Sequence, residues 1–285
     1  MVEMNGKVCI VTGSNSGIGK ETALALATMS ATVVMAVRDR ERGEKAKAGI
    51  IGQSKSQSVD MMICDVSSAA SIQHFSQDFM AKYDRLDVLI NNAGAMFSRR
   101  EVTPEGFERA LAVNYLGPFL LTHRLKALLI SSAPSRVINL SSGLHKRGKI
   151  DLDDLQSERS FNGMKVYANA KLMVIMFTYE LARRLEGTGV TVNVVEPGFA
   201  ATNLGRNTGS LRSSIMFKMV RPIQISAKKG AETSVYLASS EEVKNVTGKC
   251  FTKMRETTTA PTSYDQQLQK QLWNKTAELV GLSPD

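Results

Sequence analysis

Along the chain, short apolar runs rich in β-branched residues alternate with longer segments in which apolar positions recur at helical spacing. The runs are Val8–Thr12, Thr32–Val37, Val59–Cys64, Val88–Asn91, Arg136–Leu140, Val190–Val195 and a weaker Gly248–Phe251. Near-continuous apolar strands are buried on both faces, and strands separated by helices pair in parallel through crossover connections. The pattern predicts an α/β, doubly wound Rossmann-type fold: a seven-stranded, mostly parallel sheet with helices on both faces. No linker, repeat or compositional break interrupts it, so residues 1–285 read as a single domain. The stretch from about 263 to 282, with Leu268, Leu272, Trp273, Ala277 and Val280 in helical phase, predicts an amphipathic helical tail covering the domain or a neighbouring subunit.

Composition narrows the partners. The 36 lysines and arginines exceed the 27 acids, giving a formal charge of +9, but the two signs are interleaved along most of the sequence, which points away from nucleic acid. The exception is Pro197–Ala231, with Arg206, Arg212, Lys218, Arg221, Lys228 and Lys229 and no acid. No apolar run approaches the roughly 20 residues that span a bilayer, and Met1–Lys7 leads into a strand rather than a signal sequence, so a cytoplasmic protein is expected. Cys9, Cys64 and Cys250 are odd in number and far apart, which fits reduced, buried thiols and not a metal site.

Chemistry enters at the strand ends, where ligands bind in such sheets. After the first strand comes Thr12-Gly13-Ser14-Asn15-Ser16-Gly17-Ile18-Gly19, a turn opening a helix. Its glycines let the backbone turn sharply and let a pyrophosphate approach helix-terminal N–H groups. The second strand ends in Val37-Arg38-Asp39-Arg40. Arg38 suits the 2′-phosphate of NADP(H), whereas Asp39 keeps NAD(H) open. Asp65-Val66 closes the third strand, where a carboxylate could meet adenine, and Asn91-Asn92-Ala93-Gly94 closes the fourth; both also read as strand-end turn chemistry. Finally, Tyr167 and Lys171 stand four apart, on one helix face. A nearby ammonium favours phenolate, so the phenol is expected below its ordinary value of about 10 and able to exchange a proton with an alcohol or carbonyl.

Taken together, T-G-x-x-x-G-x-G, N-N-A-G, a serine after the fifth strand and Y-x-x-x-K, in that order from Lys7 to about Phe251, resemble the short-chain dehydrogenase/reductase family. The closest likeness is to its retinol dehydrogenase and WW-domain oxidoreductase branch, through Ala36–Asp39, Thr103–Glu108, Asn114–Thr122 and Glu180–Leu185. The resemblance implies a catalytic tetrad of Asn114, Ser142, Tyr167 and Lys171, with Ser142 chosen over Ser141 because the family places the hydroxyl at the second position. It implies cofactor contacts from Gly13, Ser14, Asn15, Ser16, Gly17, Ile18, Gly19, Arg38, Asp65, Val66, Asn91, Ala93, Gly94, Tyr167, Lys171, Pro197, Gly198 and Thr202. Asn114 has a separate argument: Pro118, four residues on, has no N–H for its carbonyl, so the helix must depart from regular geometry there.

In the family a variable lid follows Thr202, and here about 203–225 mixes Leu204, Leu211, Ile215, Met216, Phe217, Met219 and Val220 with basic residues. An apolar, adaptable lid implies a small lipophilic carbonyl or alcohol substrate, retinoid-, steroid- or aldehyde-like. Met96, Phe97, Leu144, Met164 and Phe199 are further candidates to line the cleft, or core. A basic lid could also rest on an anionic membrane, a reading ranked below the ordinary lid. Two departures from the family pattern are visible: Asn169-Ala170 between tyrosine and lysine, and Glu196 where histidine is common before Pro-Gly. Family members pair through the helices carrying the asparagine and tyrosine, which implies a homodimer or homotetramer. The leading expectation is an NADP(H)-dependent oxidoreductase; the alternatives are a non-catalytic NADP-binding regulatory protein and an NAD-dependent alcohol dehydrogenase of the same family.

Overall fold

The computed structural model describes residues 3–198 and 225–283. Seven of its strands are those expected: β1 Val8–Thr12, β2 Thr32–Val37, β3 Val59–Ile63, β4 Val88–Asn91, β5 Ser135–Leu140, β6 Val190–Val195 and β7 Cys250–Thr252. They pair in parallel in the order β3-β2-β1-β4-β5-β6-β7. An eighth strand, β8 Arg255–Thr257, adds antiparallel to β7. The sequence reading missed it because Arg255-Glu256-Thr257 is polar and largely exposed at the sheet edge, so no apolar run marks it.

The helices are α1 Gly17–Thr28, α2 Arg40–Ser54, α3 Ala69–Lys82, α4 Gly117–Ser131, α5 Gly163–Arg184, α6 Ala227–Ser239 and α7 Gln266–Leu279. Alternate strand residues feed two cores, as the period of two requires. Val8 and Ile10 face the layer built with Phe75, Phe119, Leu125 and Phe177. Cys9 and Val11 face the layer built with Leu26, Ile50 and Leu237. All three thiols are free and buried, as the sequence predicts. No helix among the described residues is long and apolar enough to cross a membrane.

The tail forms the expected helix. Asp265 caps α7 by accepting from the Leu268 N–H at 3.0 Å, and the helix lies on its own domain across α4 and α5. Trp273 packs 4.9 Å from Phe119 and 5.9 Å from Phe177, with the Arg184 guanidinium 4.3 Å from its ring centre. Thr276 meets the buried Tyr115 hydroxyl at 2.7 Å.

Around Asn114 the helix widens. A turn at Arg109–Leu111, capped by the buried Glu108 carboxylate, runs into a π-helical turn at Ala112–Leu116 before α4 begins. The irregularity expected from Pro118 is thus an inserted wide turn rather than a simple bend. Gly117 is required beside it, since a Cβ there would lie 2.1 Å from the Val66 carbonyl oxygen.

Candidate active site

The strand order reverses between β1 and β4, and the glycine turn sits at that switch point. Gly13 and Gly17 have φ of +65° and +56°, in the left-handed region that glycine reaches without strain. The turn is clamped to the end of β4: Thr12 Oγ1 accepts from the N–H groups of Asn92 and Ala93, both at 2.9 Å, while Asn92 Nδ2 donates to the Thr12 carbonyl at 2.7 Å. Thr12 and Asn92 were not among the expected site residues. Their signal was a hydroxyl and an amide at adjacent strand ends, but only the β1–β4 pairing brings them together.

The turn fits a dinucleotide on three observations. A Cβ on Gly19 would come within 2.7 Å of the Gly13 carbonyl, so the loop is already closed against the helix start. The N-terminus of α1 has no side-chain cap and no acid in its first turn, which leaves its N–H groups and positive dipole end for an anion. Ser14 Oγ is fully buried and has no hydrogen-bond partner among the described residues, an orphan that a bound phosphate oxygen would satisfy.

Other expected cofactor positions divide. Arg38 is exposed at the end of β2, whereas Asp39 caps α2 by accepting from the Arg42 N–H at 2.9 Å. Asp65 accepts from the Ser67 hydroxyl and N–H at 2.6 and 2.9 Å beyond β3, with Val66 buried next to it. The Asn91 side chain points into the helix layer, donating to Thr122 at 2.9 Å and Asn139 at 2.8 Å, and Asn139 continues to Thr178 at 2.9 Å. Period-two alternation puts Asn91 inward and leaves its backbone at the strand end. Gly94 sits where a Cβ would be 3.0 Å from Asn114 Oδ1 and 3.4 Å from Lys171 Nζ. Pro197 and Gly198 follow β6; Thr202, Phe199 and the lid from 203 to 224 lie outside the described residues.

The tetrad residues come together at the carboxyl ends of β4 and β5. Asn114 clips the π turn to the β4 loop, donating to the carbonyls of Ala95 and Ala110 at 2.7 and 2.8 Å and accepting from the Ala95 N–H at 3.2 Å. The two serines part ways. Ser141 is buried and its hydroxyl donates to the Lys171 carbonyl at 2.8 Å, while Ser142 is half-buried and accepts from the Leu144 N–H at 3.3 Å. Lys171 Nζ donates to the Leu140 carbonyl at 2.9 Å and lies 5.6 Å from the Tyr167 ring centre. Asn169 supports the segment after the serine by accepting from the Lys149 N–H at 2.8 Å. Of the expected cleft residues, Met96 and Phe97 are buried and Met164 is exposed.

The electrostatics differ from the expectation of an acidified phenol. Burial pushes Tyr167 up to about 12, with a hydrogen bond from Ser142 pulling it partly back. Burial likewise lowers Lys171 to about 8. Desolvation thus outweighs the attraction of the neighbouring ammonium, which the sequence argument placed first.

Lys171 carries a stability consequence with a definite sign. Its folded value lies below the unfolded one, so between about 8 and 10.5 the unfolded chain holds more protons and stability rises with pH; at neutral pH the buried ammonium costs roughly 3 kcal/mol. Chemical denaturation of the protein without cofactor should show wild type gaining about 2 kcal/mol relative to Lys171→Met between about pH 8 and 10. Parallel pH slopes for the two proteins would refute the assignment.

Residues 7–212 match the family model for short chain dehydrogenase. The chain is 43% identical over 282 residues to retinol dehydrogenase 13 of Homo sapiens, covering 97% of this chain and 85% of that protein. It is 41% identical over 281 residues to retinol dehydrogenase 12 of Bos taurus, covering 99% and 88%. Among solved structures, a protein from Mycobacterium paratuberculosis superposes with a TM-score of 0.81 at 28% identity, covering 100% of this chain and 97% of that one.

Proposed function

This chain belongs to the short-chain dehydrogenase family, and from that premise we propose that it is an NADP(H)-dependent oxidoreductase acting on a lipophilic carbonyl or alcohol. The observation that carries the reading is the meeting of Ser142, Tyr167 and Lys171 beside a glycine turn shaped for a dinucleotide. When bound, the nicotinamide would supply or accept the hydride. Gly13 to Gly19 and the α1 N-terminus would hold its pyrophosphate, and Lys171 its ribose. Ser142 orients the substrate oxygen and Tyr167 exchanges a proton with it. A phenol held protonated at neutral pH is the form that donates to a carbonyl oxygen. Lipophilic substrates are supported by the apolar residues of 203–225 and by relatives named for retinol.

NADP(H) over NAD(H) is supported at the end of β2. The carboxylate that would take ribose hydroxyls already caps α2, while Arg38 is exposed where a 2′-phosphate would sit. A reducing cytosol is the proposed setting, consistent with three buried free thiols. If the protein forms the expected homo-oligomer across α4 and α5, α7 is part of that interface.

A cofactor-consumption screen over retinoids, steroids, quinones and long-chain aldehydes tests the proposal. NADPH should be oxidised in preference to NADH, and Arg38→Ala should raise the KM for NADPH by about 10- to 100-fold, the worth of a charged hydrogen bond, without changing that for NADH. Binding of NADPH with no turnover on any class would favour a regulatory role instead.

A further inference from the structure

A buried ionisable cluster that the reaction above does not use lies directly behind Ser142. His145 is fully buried on the 3₁₀ turn Gly143–Arg147. Its Nε2 is 3.1 Å from the backbone nitrogen of Ala260, an obligatory donor, so Nε2 must carry the lone pair. The ring proton is therefore on Nδ1, which faces two acceptors: the Ser142 carbonyl at 2.9 Å and Glu196 Oε1 at 3.2 Å. Burial lowers the His145 pKa against the opposing pull of these acceptors, which favours the neutral ring. Glu196 is itself buried just after β6, where its N–H donates to Phe251 at 2.8 Å and the Cys250 thiol meets Oε1 at 3.7 Å. Its other oxygen faces the backbone beyond Ser142, since a Cβ on Gly143 would lie 3.7 Å from Oε2.

We propose that Glu196 and His145 are positioning residues for Ser142. The carboxylate fixes the Nδ1–H tautomer, the ring anchors the Ser142 carbonyl and the Ala260 N–H together, and the serine hydroxyl is thereby held toward Tyr167. The same pair ties the Glu196-Pro197-Gly198 segment to the serine turn, so the arrangement after β6 is transmitted to the proton-transfer site. A carboxylate at this place is the residue by which the chain departs from the histidine implied by its family resemblance. This inference rests on the proposed oxidoreductase function.

The test uses all-trans-retinal and NADPH as probes with wild type, Glu196→Ala, Glu196→Gln, Ser142→Ala and the Glu196→Ala/Ser142→Ala pair. Glu196→Ala should lower kcat by about tenfold with KM for NADPH unchanged. Glu196→Gln, whose amide oxygen can still accept from Nδ1–H, should recover most of that loss. In the Ser142→Ala background Glu196→Ala should add nothing, because its effect passes through the serine. A full additional loss in that background, a loss confined to KM for NADPH, or a glutamine variant as impaired as alanine would each overturn the proposal. Nitrogen-15 NMR of the histidines reads the same point without turnover. Wild type should show a neutral, Nδ1-protonated His145 whose N–H signal shifts and exchanges faster in Glu196→Ala; an Nε2–H ring, or no change in the variant, would refute it. Wild type inactive on retinal but with the expected NMR behaviour would count against the proposed function and not against the positioning.

Discussion

Tyr167→Phe should lower turnover by about a thousandfold, within the range general acid–base catalysis supplies, while NADPH binding survives. The substitution removes one oxygen and keeps the ring, so the packing of α5 and the cation–ring contact with Lys171 at 5.6 Å are retained. What is lost is the proton that the substrate oxygen exchanges. Tyr167 is nearly sealed from solvent, with 4% of its surface exposed, and burial holds its phenol at about 12. Lys171, lowered to about 8, lies 5.6 Å from the Tyr167 ring centre and remains mostly an ammonium at neutral pH. A phenol kept protonated, hydrogen-bonded to Ser142 and set beside a buried ammonium is arranged for donation. Stopped-flow oxidation of NADPH in the presence of a turned-over carbonyl, with fluorescence titration of NADPH alongside, separates the two effects. A variant that turns over at the wild-type rate would remove Tyr167 from the chemistry.

Gly19→Ala should weaken NADPH binding by about 100-fold, the upper end of the 1–3 kcal/mol that overpacking costs. An added Cβ would lie 2.3 Å from Asn92 Nδ2 and 2.7 Å from the Gly13 carbonyl. Asn92 cannot yield freely, because it donates to the Thr12 carbonyl at 2.7 Å and that bond pins the glycine turn to β4. Either the clamp breaks or α1 moves away, and both displace the N–H groups that would meet the pyrophosphate. Isothermal titration with NADPH measures the loss, and a thermal melt without cofactor should show a lower Tm. Equal affinities in the two proteins would mean that the cofactor does not lie along this turn.

Most of the architecture was legible in the sequence because parallel strands buried on both faces leave unbroken apolar runs, and helices between them leave a different period. That reading reached β1 to β7 and the tail helix, whose Leu272, Trp273 and Ala277 are buried as their spacing requires. It missed β8, whose Arg255-Glu256-Thr257 is held only by pairing with β7. The serine choice shows the same boundary. Adjacent serines look alike in sequence, and the fold separates them by giving the Ser141 hydroxyl to the Lys171 carbonyl.

The order of residues alone determined that a glycine turn follows the first strand, that Tyr167 and Lys171 share a helix face, and that Pro118 forces the helix near Asn114 out of regular geometry. These are local consequences of backbone chemistry and spacing. Only the tertiary structure decided that burial, not the neighbouring ammonium, governs the tyrosine, that the Asn91 side chain serves the helix layer, and that His145, Glu196 and Ala260 meet behind Ser142. Desolvation and long-range hydrogen bonds depend on which surfaces the fold brings together, and residues 51 and 115 positions apart carry no spacing that announces their contact.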